Sequence, residues 1–153
     1  MILINKRAKK QDYQTILAIW EKSVIATHDF LAAEDRQFYK EKIPGFLDQV
    51  ELLLWFSGEE IVGFSGTSEQ ELDMLFIDPA FTGQGLGSQI LAWLMEEKQI
   101  NQVDVNEQNE NAKRFYLKHG FVVSSRSEVD GFGKAYPILS YPSFGARINV
   151  SEE

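Results

Sequence analysis

The chain contains no cysteine. Disulfides, thiolate metal sites and a cysteine nucleophile are therefore excluded. Histidine is nearly absent too: His28 and His119 stand alone, with no His-Glu-x-x-His pair. No dedicated zinc site is expected, and no metal cofactor. Long apolar runs are also missing, and none approaches the ~20 residues needed to cross a bilayer. The first residues, MILINKRAKK, put the apolar part before the basic one. A secretory signal has the reverse order, so a cytoplasmic location with no membrane partner is expected. Positive charge is in short supply, with 15 Lys and Arg against 23 Asp and Glu, a net charge of −8. A general nucleic-acid binder is usually basic, so nucleic acid is not an expected partner. An acidic surface can attract a cationic substrate. It can equally serve solubility alone.

What is present suits one domain with a substantial core. The chain has 153 residues, 44% of them hydrophobic and 25% charged, which are ordinary values for a globular protein. The expected domain covers residues 1–144, followed by a tail or extension at 145–153. Residues 2–6 read as a first strand. Residues 11–26 carry Tyr13, Ile16, Leu17, Trp20 and Val24 at helical spacing. A second helix is expected over 32–42, ended by Pro44-Gly45. Residues 50–56 and 61–67 read as a hairpin around the turn Ser57-Gly58-Glu59-Glu60. Residues 71–77 form the next strand. Helix follows from Leu86, with Leu86, Ile90, Trp93 and Leu94 on one face. A short strand is expected at 102–105 and a helix at 109–119, with Gly120 as its left-handed cap. Strands at 121–129 and 135–141 close the chain around Asp130-Gly131-Phe132-Gly133. The order is β-α-α-β-β-β-α-β-α-β-β. The pair joined through a helical crossover must be parallel, and the hairpins antiparallel. The expected class is α/β, a mixed and mostly antiparallel sheet flanked by helices.

The chain is organised around residues 77–88, IDPAFTGQGLGS. An apolar strand stops at Asp78-Pro79, a loop with glycines at 83, 85 and 87 follows, and a helix begins. Such a loop collects backbone N–H groups at the positive end of a helix, where an anion binds. By itself it is a weak signal, because packing alone can shape such a turn.

A second segment makes the pattern specific. FTGQGLGSQIL (81–91) followed by VNEQNENAKRFYLKHGF (105–121) resembles the GCN5-related N-acetyltransferase (GNAT) superfamily. The phosphate loop of that family reads Arg/Gln-x-x-Gly-x-Gly/Ala. Its helix signature, Asn-x-x-Ala-x-x-Phe/Leu-Tyr-x-x-x-Gly-Phe, runs here without a gap from Asn109 through Ala112, Phe115 and Tyr116 to Gly120-Phe121. The resemblance covers almost the whole chain. ATHDFL (26–31) and RSEVDGFGKAYPILS (126–140) further resemble a bacterial subgroup poorly defined in substrate.

The resemblance implies acetyl-CoA as co-substrate and acyl transfer to an amine. The pyrophosphate would sit on the amides of the segment formed by Gly83, Gln84, Gly85, Leu86, Gly87 and Ser88, with the Ser88 hydroxyl as a further donor. Thr82 departs from the family pattern. It stands where arginine or glutamine is usual, and it reaches less far. The loss amounts to one hydrogen bond to a charged group, at most about 1.5–3 kcal/mol. Lys118 occupies a position that approaches CoA phosphates in the family; the alternative is a solvated helix lysine. The pantetheine arm would pair with Met74, Leu75, Phe76 and Ile77, where the fourth and fifth strands splay apart. A backbone N–H there can polarise the thioester carbonyl. Asn106, Asn109 and Ala112 complete the cofactor set. Asn109 would bind a pantetheine amide, and its other reading is a helix N-cap.

For catalysis the resemblance points to Tyr116, whose phenol can protonate the departing CoA thiolate. Its other reading is a core tyrosine packed beside Phe115. Glu71 is the candidate base, against a solvent-facing strand-end glutamate or a water chain. His28 and Asp29 fall where the family walls its acceptor site; a packed histidine and a helix N-cap are the alternatives. Tyr136 and residues 131–134 would form the opposite wall. The expected partner is a small-molecule or peptide amine, and the chain a monomer or homodimer. Two other classes compete: a CoA-binding sensor or regulatory module without robust transferase activity, and an α/β protein binding another nucleotide.

Overall fold

A computed structural model describes residues 2–142. The expected tail at 145–153 lies outside the described residues. Contacts divide the chain into two units. One holds the residues up to Ser68 together with Asp73–Trp93, and the other Glu69–Leu72 with the chain from Leu94 onward.

The first unit begins with β1 (Leu3–Arg7), α1 (Tyr13–Thr27) and α2 (Ala33–Leu47). The hairpin of β2 (Glu51–Ser57) and β3 (Glu60–Ser68) follows, and then most of β4 (Glu71–Ile77). β1 pairs antiparallel with β2, with Asn5 opposite Trp55. β2 pairs antiparallel with β3, with Leu54 opposite Phe64 and a register shift between Trp55 and Phe56. Side chains along β2 alternate between faces. Leu52 and Leu54 join Ile16, Ile19, Trp20 and Val24 of α1, Ile43 and Leu47 of α2, Phe64 and Met74 in one buried cluster. Trp55, on the other side, meets Trp93 edge-on at 5.3 Å and donates its indole N–H to Ser65 Oγ at 2.9 Å.

Helix α2 corrects one expectation. It does not end before Pro44-Gly45 but runs through them to Leu47. A proline inside a helix costs about 3 kcal/mol through its missing N–H and its clash with the preceding turn. Continuing for one more turn buries Leu47 on the same face as Ile43. Burying the Leu47 side chain is worth about 1.5–3 kcal/mol, of the same size as the proline's cost.

A 3-10 turn, Pro79–Phe81, and the loop lead into α3 (Leu86–Glu97), whose Leu86, Ile90, Leu91 and Leu94 are fully buried.

In the second unit, Glu71 and Leu72 pair in parallel with Gln102 and Val103 of β5 (Gln102–Asn106). β5 pairs antiparallel with β7 (Ile138–Pro142), and β7 with β6 (Ser125–Ser127). The strand order is β1-β2-β3-β4-β5-β7-β6, a seven-stranded mixed sheet of the expected class. Helix α4 (Glu110–Lys118) ends as expected at Gly120, which takes φ +91°. Phe121 N–H bonds the Tyr116 carbonyl at 3.0 Å and Gly120 N–H that of Leu117 at 3.2 Å, a complete Schellman cap.

The last two strands are shorter than expected. The cap carries Phe121 into the core, where it makes an isolated bridge, and the continuous ladder with β7 begins at Ser125. β7 starts at Ile138 rather than at residue 135. Before it, the Asp130 carboxylate accepts the N–H groups of Phe132 and Lys134 at 2.9 and 3.0 Å, which closes a side-chain-held turn and keeps those residues out of the ladder.

Candidate active site

The predicted site residues fall into two sets, one in each unit. In the first unit, β4 delivers Met74, Leu75, Phe76 and Ile77 to the start of the loop. Met74 is buried and the other three are half-buried. Gly63 of β3 lies against this end: a Cβ there would run into the Phe76 carbonyl oxygen. Asp78 N–H bonds the Val62 carbonyl at 2.8 Å. The Asp78 carboxylate accepts Ala80 N–H at 3.0 Å and Lys22 Nζ at 2.8 Å. Burial pushes this carboxyl up, but the Lys22 hydrogen bond, the Ala80 N–H and the Lys22 charge together pull it below the ordinary aspartate value.

Thr82 turns its hydroxyl back onto the Pro79 carbonyl at 3.1 Å. The residue that replaces the family's long polar side chain thus braces its own turn. Gly83 and Gly85 adopt φ +80° and +75°, a region that side chains with Cβ rarely enter. Both are exposed, as are Thr82 and Gln84, whereas Leu86 is buried and fixes the start of α3. Gln89 N–H bonds the Gly85 carbonyl at 3.2 Å, so the N–H groups just after Gly85 belong to the first turn of α3. First-turn N–H groups have no partner within their helix. Exposed positive-φ glycines beside such a turn fit an anion of phosphate type. Gly87 and Ser88, both half-buried, lie in that turn.

His28 caps α1, its N–H bonding the Val24 carbonyl at 2.8 Å. Its Nδ1 lies 2.7 Å from Thr27 Oγ1, and its ring meets Phe30 at 5.1 Å. Burial lowers its pKa, opposed by the charge of Asp29. Asp29 is exposed and does not cap α2, whose N-cap is Ala32.

In the second unit, Glu71 is half-buried at the start of β4. Asn106 accepts the Gln108 N–H at 3.0 Å. Asn109 caps α4, its side-chain oxygen accepting Ala112 N–H at 3.1 Å. The helix-cap reading of this residue is thus what the described contacts show. Ala112 is half-buried and Lys118 exposed in the last turn of α4.

Tyr116 is buried, edge-on to Phe115 at 5.0 Å and to Phe121 at 5.7 Å. Among the described residues its hydroxyl makes no hydrogen bond. Burial pushes the phenol far above its ordinary range. It therefore stays protonated and can donate to an incoming acceptor.

Sequence reasoning missed Lys22, Ser23 and Gly63 as parts of this region, and read Asp78 only as the end of the strand. Ser23 gave a signal: it is a polar residue on the buried stripe of α1, and a buried hydroxyl requires a partner. That partner is the Ile77 carbonyl, 2.8 Å away.

Among the described residues, no helix is long and apolar enough to cross a membrane, and no cluster of potential metal ligands occurs.

Known proteins resemble the chain along most of its length. The family profile described as acetyltransferase (GNAT) domain matches residues 22–133. Peptidyl-lysine N-acetyltransferase YjaB of Escherichia coli K12 is 40% identical over 149 residues, covering 95% of this chain and 100% of the relative. The solution structure of apo-form YjaB from Escherichia coli matches with a TM-score of 0.85 at 39% identity, covering 94% of this chain and 99% of that one. The PaiA N-acetyltransferase of Thermoplasma acidophilum, solved in complex with coenzyme A, shares the fold with a TM-score of 0.68 at 21% identity, over 93% and 99% of the two chains. The profile, the near full-length identity and the shared fold agree with the two motifs read from the residues: the chain belongs to the GNAT acetyltransferase family and is an N-acetyltransferase of that family.

Proposed function

We propose that the protein transfers acetyl from acetyl-CoA to a primary amine by direct attack, with a peptide lysine side chain as the leading acceptor. The acceptor class is supported by the YjaB relatives of Escherichia coli and Salmonella typhimurium, which are peptidyl-lysine N-acetyltransferases. The observation that carries the reading is the Tyr116 phenol, buried, protonated and without a partner among the described residues.

The donor's pyrophosphate rests on the amides between Gly83 and Ser88. Its pantetheine arm follows the β4 backbone from Met74 to Ile77, and Asn106 and Asn109 bind its amides. A β4 N–H polarises the thioester carbonyl. The acceptor nitrogen forms a bond to the acetyl carbon, giving a tetrahedral intermediate. The C–S bond breaks, and the thiolate takes the Tyr116 proton. The amine's own proton leaves to Glu71, directly or through water. His28 and Asp29 are the leading acceptor-side residues, where a carboxylate favours a cationic amine, with Tyr136 and residues 131–134 as further candidates for an acceptor wall.

The test is release of free CoA thiol with a panel of amines that includes lysine peptides. Release above the hydrolytic rate with a lysine peptide is the expected result. Thr82, whose hydroxyl is engaged with its own turn, favours the competing reading of a CoA-binding sensor. Tight CoA binding with no acceptor-dependent release would establish that reading instead.

A further inference from the structure

The end of β4 is held from α1 by contacts that the glycine loop does not itself require. One peptide unit takes most of them. The Ile77 carbonyl accepts the Ser23 hydroxyl at 2.8 Å. The N–H of the same unit, carried by Asp78, donates to the Val62 carbonyl at 2.8 Å. Both polar groups of one rigid plane are thus tied, one to a helix and one to a strand, which restrains the turning of the plane about its two Cα atoms. The preceding carbonyl, of Phe76, occupies the space that a side chain on Gly63 would need.

The next residue is tied as well. Lys22 reaches one oxygen of the Asp78 carboxylate at 2.8 Å, and Ala80 N–H reaches the other at 3.0 Å. Asp78 is 9% exposed, so its charge is largely removed from water and depends on these partners. Consecutive residues of α1 therefore grip consecutive residues where the strand turns into the loop.

We propose that Ser23 and the Lys22–Asp78 pair are positioning residues for the acetyl donor: they fix the Ile77–Asp78 peptide plane, and with it the direction in which the β4 backbone and the loop amides present their N–H groups. This rests on the proposed function. It assigns to α1, which carries none of the family's cofactor motif, part of the control of donor binding. Neither residue touches the donor. They act through backbone groups that do.

The test uses the full chain with Ser23→Ala, Lys22→Met and Lys22→Arg. The first removes a single oxygen, and the second keeps side-chain length without charge. Hydrogen exchange is read in peptides spanning 74–82, without added ligand. Ser23→Ala and Lys22→Met should speed exchange there and leave β1, β2 and α4 unchanged. Both should raise the KM for acetyl-CoA about 2- to 10-fold, the range for loss of one hydrogen bond, with the acceptor KM unchanged. Lys22→Arg, which keeps charge and reach, should restore both readouts. Exchange in 74–82 equal to the wild type overturns the proposal. So does a uniform rise in exchange with donor KM unchanged, since that marks a merely structural role. Wild-type protein that releases no thiol with any amine would refute the proposed function, while the exchange result still decides whether α1 holds the strand end.

Discussion

Phe121 folds back on Tyr116 twice. Its N–H bonds the Tyr116 carbonyl at 3.0 Å, and its ring meets the Tyr116 ring edge-on at 5.7 Å. Phe115 meets the same ring edge-on at 5.0 Å, so the phenol ring packs against two aromatics. Its orientation is set by packing, so the hydroxyl can be removed without moving the ring.

That arrangement makes Tyr116→Phe a clean test. In the proposed function the phenol acts on the leaving thiolate and little on the bound donor. Turnover should fall about 10²-fold or more with CoA affinity nearly unchanged. Because burial holds the phenol above its ordinary range, the wild type should show no loss of turnover from Tyr116 ionisation up to about pH 10. Steady-state thiol release across pH checks both points, and unchanged turnover in the variant removes Tyr116 from the mechanism.

Asn109 caps α4, and the proposed function gives it a second role, binding a pantetheine amide, that mutagenesis can separate from the first. Asn109→Ala removes the α4 cap and should cost about 0.5–2 kcal/mol of stability. Asn109→Ser keeps a capping oxygen but not the amide. It should unfold close to the wild-type temperature and still bind CoA more weakly. Thermal unfolding beside CoA titration reads the two effects; wild-type CoA affinity in the serine variant would leave Asn109 as a cap alone.

The two motifs were legible because each is local. The glycine spacing and the Asn109–Phe121 signature specify a loop, a helix and a cap from neighbouring residues. The bounds of β4 and α3 followed from one apolar run and one helical period. Pro44 misled for the opposite reason. Its local cost is real, but it is matched by burial of Leu47 against elements distant in sequence. Residues 121–129 look strand-like by composition, yet Phe121 is taken by a helix cap and Ser125–Ser127 are exposed at the sheet edge. Lys22 and Ser23 were hidden because their partners lie 56 and 54 positions away, beyond any periodic signal.

Asp78 predicts an acid-dependent loss of stability. Its folded value lies below the ordinary 3.8. A carboxyl depressed on folding contributes stability that is fully present above the unfolded value and lost as pH falls through the folded one. The stability difference between wild type and Asp78→Asn should therefore be constant from neutral pH down to about pH 5 and shrink below pH 4. Urea unfolding at a series of pH values measures it. A difference independent of pH down to pH 2 would show that the Lys22 pair contributes nothing through charge.

Glu71 is the one candidate whose chemistry depends on a proton it must accept. It is half-buried at the first β4 position, opposite Gln102 in the parallel ladder. Asp73, two residues on, accepts the Ser68 hydroxyl at 2.6 Å. A base must be deprotonated in the free enzyme, so kcat/KM should fall on the acid side as Glu71 protonates. Glu71→Gln cannot take the proton and cannot titrate. It should lower kcat/KM by about 10²- to 10⁴-fold, the usual contribution of general base catalysis, and abolish the acid limb that Glu71 causes. A variant that keeps the wild-type acid limb assigns that limb to the acceptor amine or to a water chain, and Glu71 is then a strand-end residue with no part in proton transfer.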